Sequence, residues 1–163
     1  MPIYRYGIFL FGTLSLAAID QFTKYLTRTV LTLHQPVEII PHFFRLLYVE
    51  NSGVAFGLFA EGSSSLKAVF FIVISALAMA MIAYLYSRVQ QHMHRQGMSI
   101  AYIMIMGGAM GNLLDRVRFG SVVDFLDFYV GGYHWPAFNI ADSFITSGMI
   151  LVCYYAVVKK VPI

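Results

Sequence analysis

Charge is what this sequence has least of. Only 12% of its 163 residues are Asp, Glu, Lys or Arg, against 59% hydrophobic ones. Soluble domains carry about 25% charged residues, so an ordinary water-soluble globule is excluded. A single cysteine, Cys153, excludes an intrachain disulfide. Set inside an apolar run, it reads as a buried small hydrophobe. No H-E-x-x-H occurs, and the five histidines are scattered. His92 and His94 share a short polar loop, while His34, His42 and His134 stand alone, so neither a metal nor another cofactor is expected. Ser64-Ser65-Leu66-Lys67 matches S-x-x-K, but the companion S-D-N and K-T-G motifs are missing. It reads as a linker and a membrane-edge lysine. No internal repeat is present. The net charge of +3 is spread around hydrophobic spans rather than gathered on one face, which points to a membrane and away from nucleic acid.

What is present is a set of four uncharged apolar runs, residues 6–19, 68–87, 98–114 and 143–158. About twenty helical residues cross a hydrocarbon core of about 30 Å. With flanking residues absorbed, the runs predict transmembrane helices over about 6–24, 67–87, 98–115 and 140–159. The expected fold is an all-α polytopic membrane protein, residues 1–163 forming one domain. The first run could alternatively be a cleavable signal peptide, since Ser15-Leu16-Ala17 loosely resembles a small-x-small site. The polar cluster beginning at Asp20 favours a retained span.

Orientation follows from the basic residues. Four spans put both termini on one side, together with Arg5, Arg88, Arg95, Lys159 and Lys160 and no acid. All eight Asp and Glu lie on the other side, with six Lys and Arg spread over longer loops. The positive-inside rule makes both termini cytoplasmic, so any acid–base site faces outward. The outer segment between spans 1 and 2 contains Val37-Glu38-Ile39-Ile40 and residues 43–49, rich in β-branched and aromatic residues and split by Pro41. A small extracytoplasmic β-sheet between those spans is expected. Gly53 and Gly57 suit turns, and residues 61–65 read as a linker.

Two carboxylates dominate the rest. Asp124 and Asp142 lie at either end of an aromatic loop, and Asp142 opens the last apolar run. An ionisable group at a membrane span is a functional candidate by default. Two that converge could share a proton as an aspartic protease pair does. Equally, each could cap a helix or pair with an arginine. Asp20 and Lys24 are four apart, so on a helix they share a face and can pair. Gly107-Gly108-Ala109-Met110-Gly111 reads as close helix packing that brings backbone near Asn112 and Asp115. Arg116 could bind lipid phosphate or a substrate carbonyl, or offset nearby acids. Asp127 reads as solvated. Phe125, Phe128, Tyr129, Tyr133 and Trp135 form an outer aromatic belt.

In order along the chain stand Asp20-Gln21-Phe22-Thr23-Lys24, Asn51-Ser52-Gly53-Val54-Ala55-Phe56-Gly57, residues 107–116 from Gly107 to Asp115-Arg116, Val122-Val123-Asp124-Phe125 and Phe138-Asn139-Ile140-Ala141-Asp142. This series closely resembles the bacterial lipoprotein signal peptidases, the type II signal peptidases, over nearly the whole chain. The resemblance implies a four-span inner-membrane aspartic endopeptidase with an outward-facing site. Its substrates would be diacylglyceryl-modified prolipoproteins, cut on the N-terminal side of the lipidated cysteine. By motif position the dyad falls on Asp124 and Asp142. Asp20, Lys24, Asn51, Gly53, Gly108, Asn112, Asp115, Arg116, Asn139 and Ala141 fall at supporting or substrate-contacting positions. Membrane phospholipids are the expected surroundings and a monomer the default. The neutral Asn51, Asn112 and Asn139 could orient a peptide backbone, and the loop carrying Asp124 could close over substrate. The rivals are a small proton or ion carrier and a non-catalytic membrane assembly subunit.

Overall fold

A computed structural model describes residues 3–53, 64–89 and 95–160. Val54, Ala55, Phe56 and Gly57, most of the 61–65 linker, and His92 and His94 lie outside the described residues. Helices α1 (Ile3–Val30), α2 (Ser64–Val89), α3 (Arg95–Phe119) and α4 (Ile140–Val157) alternate with strands β1 (Pro36–Ile40), β2 (Phe44–Asn51), β3 (Val122–Val130) and β4 (Tyr133–His134). Three helical segments, Val69–Arg88, Gln96–Phe119 and Ile140–Val157, are long and apolar enough to cross a membrane. The 28-residue α1 has the length, but Arg5, Asp20, Lys24 and Arg28 interrupt it. Helix α2 begins at Ser64, inside the stretch expected to be linker.

Helix α3 is the centre, packed against each of the other three. Small residues allow it. A Cβ on Gly107 would meet Leu16 Cβ at 2.7 Å and the Thr13 carbonyl at 3.2 Å on α1, and one on Gly108 would run into the Ala141 carbonyl of α4. Backbone cannot yield as a side chain tip can. Gly108→Ala is therefore expected to lower stability by about 1–3 kcal/mol, the usual penalty for overpacking, read as a fall in melting temperature. An unchanged melting temperature would mean that α4 can slide away from α3.

The strands form one antiparallel sheet in the order β1-β2-β3-β4. Pro41 lies in the turn between β1 and β2, as its missing N–H requires. The sheet was expected from the segment between the first two helices alone. It also takes strands from the α3–α4 connection, so Asp124 stands on β3 and not on a closing loop. That strand is fixed on both sides: Val49 pairs with Asp124 from β2, and the Phe125 and Leu126 amides donate to the Phe138 carbonyl.

Candidate active site

The N-terminus of α4 organises the site. Asn139 is extended (φ −130°) and caps the helix, its side-chain oxygen accepting from the Asp142 amide at 2.9 Å. Asp142 Oδ2 accepts in return from the Asn139 amide at 3.2 Å, completing a capping box. Helix capping, one of the two roles open to Asp142 from sequence, is thus observed. It leaves Oδ1 free to accept from Asn112 Nδ2 of α3 at 2.8 Å.

Asn139 also reaches the other carboxylate, its Nδ2 donating to Asp124 Oδ1 at 2.7 Å. One buried residue therefore joins Asp124 and Asp142. The second Asp124 oxygen accepts from Asn51 Nδ2 at 2.9 Å. Asn51 is turned that way because its own Oδ1 accepts from the Gly53 amide at 2.8 Å, in a turn that needs the left-handed φ of +82° at Gly53. The three asparagines are thus engaged with the aspartates. Asp124 is 3% exposed. Burial pushes its carboxyl up to about 6, with the Asn51 hydrogen bond opposing and the nearby Asp142 charge adding to the rise.

Behind the pair lies a buried charge cluster. Lys24, wholly buried, meets Asp20 at 2.8 Å and Asp115 at 3.1 Å, and donates to Asn112 Oδ1 at 2.7 Å. Its three protons have three acceptors, as an enclosed ammonium requires. Asp20 Oδ1 accepts from the Ala141 amide at 2.9 Å, so α1 helps to cap α4. Asp115 accepts from the Val123 amide at 3.2 Å, which fixes β3 just before Asp124. Gln21, donating to Asp115 at 3.0 Å, and Arg28, 3.4 Å from the same acid, were not singled out as site residues. Arg28 was findable, since 20, 24 and 28 form one helical ladder.

Arg116 makes no ion pair among the described residues. Its guanidinium lies 5.3 Å from the Phe71 ring centre and lines a mostly apolar groove of about 610 Å³ between α2, α3 and α4, together with Asn112 and Asp142.

Three readings need correction. Asp127 is not solvated: it is 2% exposed, held by Arg45 at 2.5 Å and His134 at 3.0 Å. The β2–β3 register sets Arg45 opposite it, and the β3–β4 hairpin brings His134. Phe125 is buried and Phe128 half-buried, stacked between Phe44 and Phe138, which leaves Tyr133 and Trp135 as the exposed aromatics. Cys153 is exposed on the groove side of α4, because a membrane-facing helix keeps apolar residues outward.

The chain is similar to known proteins in both sequence and fold. A family model described as Signal peptidase (SPase) II matches residues 13–158. The lipoprotein signal peptidase of Desulforapulum autotrophicum is 51% identical, over 89% of this chain and 88% of its own. That of Syntrophotalea carbinolica is 42% identical, over 91% and 90%. A solved bacterial membrane enzyme, determined by the in meso method at 1.9 Å resolution, superposes with a TM-score of 0.79 at 32% identity, covering 93% of each chain.

Proposed function

The chain belongs to the signal peptidase II family, and from that premise we propose that Asp124 and Asp142 are the catalytic pair of an aspartic endopeptidase that cuts prolipoproteins beside a diacylglyceryl cysteine. Membership makes it a bacterial inner-membrane protease of lipoprotein processing. The observation that carries the aspartic mechanism is the single buried residue, Asn139, that hydrogen-bonds both carboxylates, one of which, Asp142, lines an apolar groove.

In this reaction water adds to the scissile carbonyl carbon between the two carboxyls. The ionised one takes a proton from that water, while the protonated one gives its proton to the carbonyl oxygen. The resulting gem-diol collapses: the C–N bond breaks, the departing nitrogen takes the first proton, and a diol hydroxyl returns the second. The Asp142 charge adds to the rise of the Asp124 carboxyl, as expected where two carboxyls share one proton. Arg116, facing the groove beside them, is the group to receive a substrate carbonyl or lipid phosphate.

Helix α1 is the fourth span in this reading, its Asp20 and Lys24 tolerated in the membrane because each is paired inside the bundle. Both termini are cytoplasmic, and the protein acts as a monomer among phospholipids. The described acids gather at the sheet end of the helices, which leaves no ladder of acids for a proton carrier.

The groove suits a signal peptide and acyl chains, and it sets the test. Two acyl chains that hold the substrate in the bilayer deliver the scissile bond at interface depth and lower the entropy cost of positioning it. Cleavage of one prolipoprotein by purified enzyme is expected to fall by about 10²–10³ in kcat/KM when the diacylglycerol is absent, and the cut product to begin at the cysteine. Equal rates would mean that the lipid does not position the bond.

A further inference from the structure

Building on the dyad reading, we propose that Lys24, acting through the side-chain amide of Asn112, holds Asp142 as the ionised member that accepts the water's proton, and so leaves the shared proton on Asp124. Lys24 would be a positioning residue: it touches neither the water nor the substrate.

The two carboxylates look alike at first. Each accepts two hydrogen bonds from neutral N–H groups, Asp124 from Asn51 and Asn139, Asp142 from Asn112 and the Asn139 backbone. What differs is what stands behind the donors. Asn112 Oδ1 receives the Lys24 ammonium at 2.7 Å. An ammonium has only protons to offer, so it fixes the amide with its oxygen toward Lys24 and its NH₂ toward Asp142. The cation also polarises that amide, strengthening its donation to an anion. Among the described residues, what stands behind Asn51 is the Gly53 amide, and Asn139 meets Asn112 Oδ1 only as a second, longer donor at 3.2 Å. Asp142 further sits in the first turn of α4, where the exposed helix N–H groups favour negative charge. Asp124 sits in a strand, which offers no such field. Finally, Asp124 is buried while Asp142 is half-buried on the groove wall, so water reaches Asp142 more easily. The upward push of burial on the Asp124 carboxyl runs the same way and outweighs the Lys24 charge, which opposes it there as the smallest of the influences.

Among the described residues, the charged groups around the pair are Asp20, Lys24 and Arg28 of α1, and Asp115 and Arg116 of α3. Glu50 stands exposed on β2 opposite Val123, and Asp127 lies further along β3 with Arg45. The test is read first from variants that leave all of these groups but Lys24 in place. It is the pH profile of kcat/KM for cleavage of a diacylglyceryl prolipoprotein by the purified full-length protein. The base is lost as pH falls and the acid as pH rises.

Asn112→Ala is expected to move the acidic limb of the profile up by more than it moves the alkaline limb, which Asn112 reaches only through Asn139. Asn51→Ala, whose side chain donates to Asp124 and not to Asp142, is expected to move the alkaline limb up instead. The reverse pattern would overturn the assignment. Lys24→Gln is expected to shift the acidic limb upward, and to add no further shift in the Asn112→Ala background. A Lys24→Gln protein that is slower by the same factor at every pH would reduce Lys24 to a structural role. Should that variant not fold, Lys24→Gln/Asp115→Asn, which removes one charge of each sign, takes its place with the same expected shift. Full activity of Asp124→Asn would instead sink the dyad reading itself, whatever the limbs do.

Discussion

Asp142→Asn and Asp124→Asn are each expected to lower cleavage of a lipidated prolipoprotein by roughly 10⁴-fold or more, the scale lost when one member of a catalytic unit is removed, in a protein that stays folded. The chemistry needs one carboxylate to take a proton and one carboxyl to give it, and an amide does neither at neutral pH. Folding should survive for a different reason at each position. An amide at 142 can still accept from the Asn139 amide, but it meets the NH₂ of Asn112, which Lys24 holds in place. That mismatch costs on the order of 1 kcal/mol. An amide at 124 loses an acceptor, but also a desolvated charge, and the two effects offset. The pH dependence separates these cases. The folded Asp124 carboxyl keeps its proton up to about 6, whereas an unfolded aspartate releases it near about 3.9. Its contribution to stability is therefore fully present below about pH 4 and is lost as pH rises through about 6. Asp124→Asn should flatten stability across that window, as followed by thermal melting in detergent. Turnover above about one per cent of the parent in either variant would remove that aspartate from the chemistry.

Lys24→Met is expected to be the most destabilising single change in the helical bundle, at about 3–5 kcal/mol, the cost of breaking a buried ion pair from one side. Total stabilities of about 5–15 kcal/mol make that a large share. The lysine is fully buried between Asp20 and Asp115, and its loss leaves those acids facing each other across the α1–α3 contact. Arg28 approaches Asp115 at 3.4 Å but is partly exposed, so Arg28→Ala should cost no more than about 1 kcal/mol. Adding Asp115→Asn to Lys24→Met should recover part of the loss, because one of the stranded charges is then gone. Denaturant or thermal unfolding of the four proteins decides the matter. Equal losses for Lys24→Met and Arg28→Ala would mean that water enters the cluster and screens it.

The sequence by itself determined a good deal of this protein. The helices follow from apolar runs bounded by charge. The Asp20–Lys24 pair follows from four-residue spacing, and the strands at the first two sheet positions from β-branched residues on either side of Pro41. These signals are local: hydropathy and helical periodicity are properties of neighbouring residues, and the membrane enforces them through backbone hydrogen bonding.

What a buried polar group touches is not local, and that is where the tertiary structure decided. Asp127 reads as solvated until β2 sets Arg45 beside it from 82 residues away. Asp124 reads as a loop residue until Phe138 and β2 enclose its strand. Asn139 reads from sequence as a supporting residue that could orient a peptide backbone, and becomes the joint between two aspartates only once β3 lies against the first turn of α4. Cys153 errs in the opposite direction, since in a lipid-facing helix an apolar side chain is no guide to burial. The sequence supplied the acids and their order along the chain. Only the packing of α1, α3, β3 and α4 decided which hydrogen bonds satisfy them, because a buried carboxylate must find its donors wherever the fold brings them.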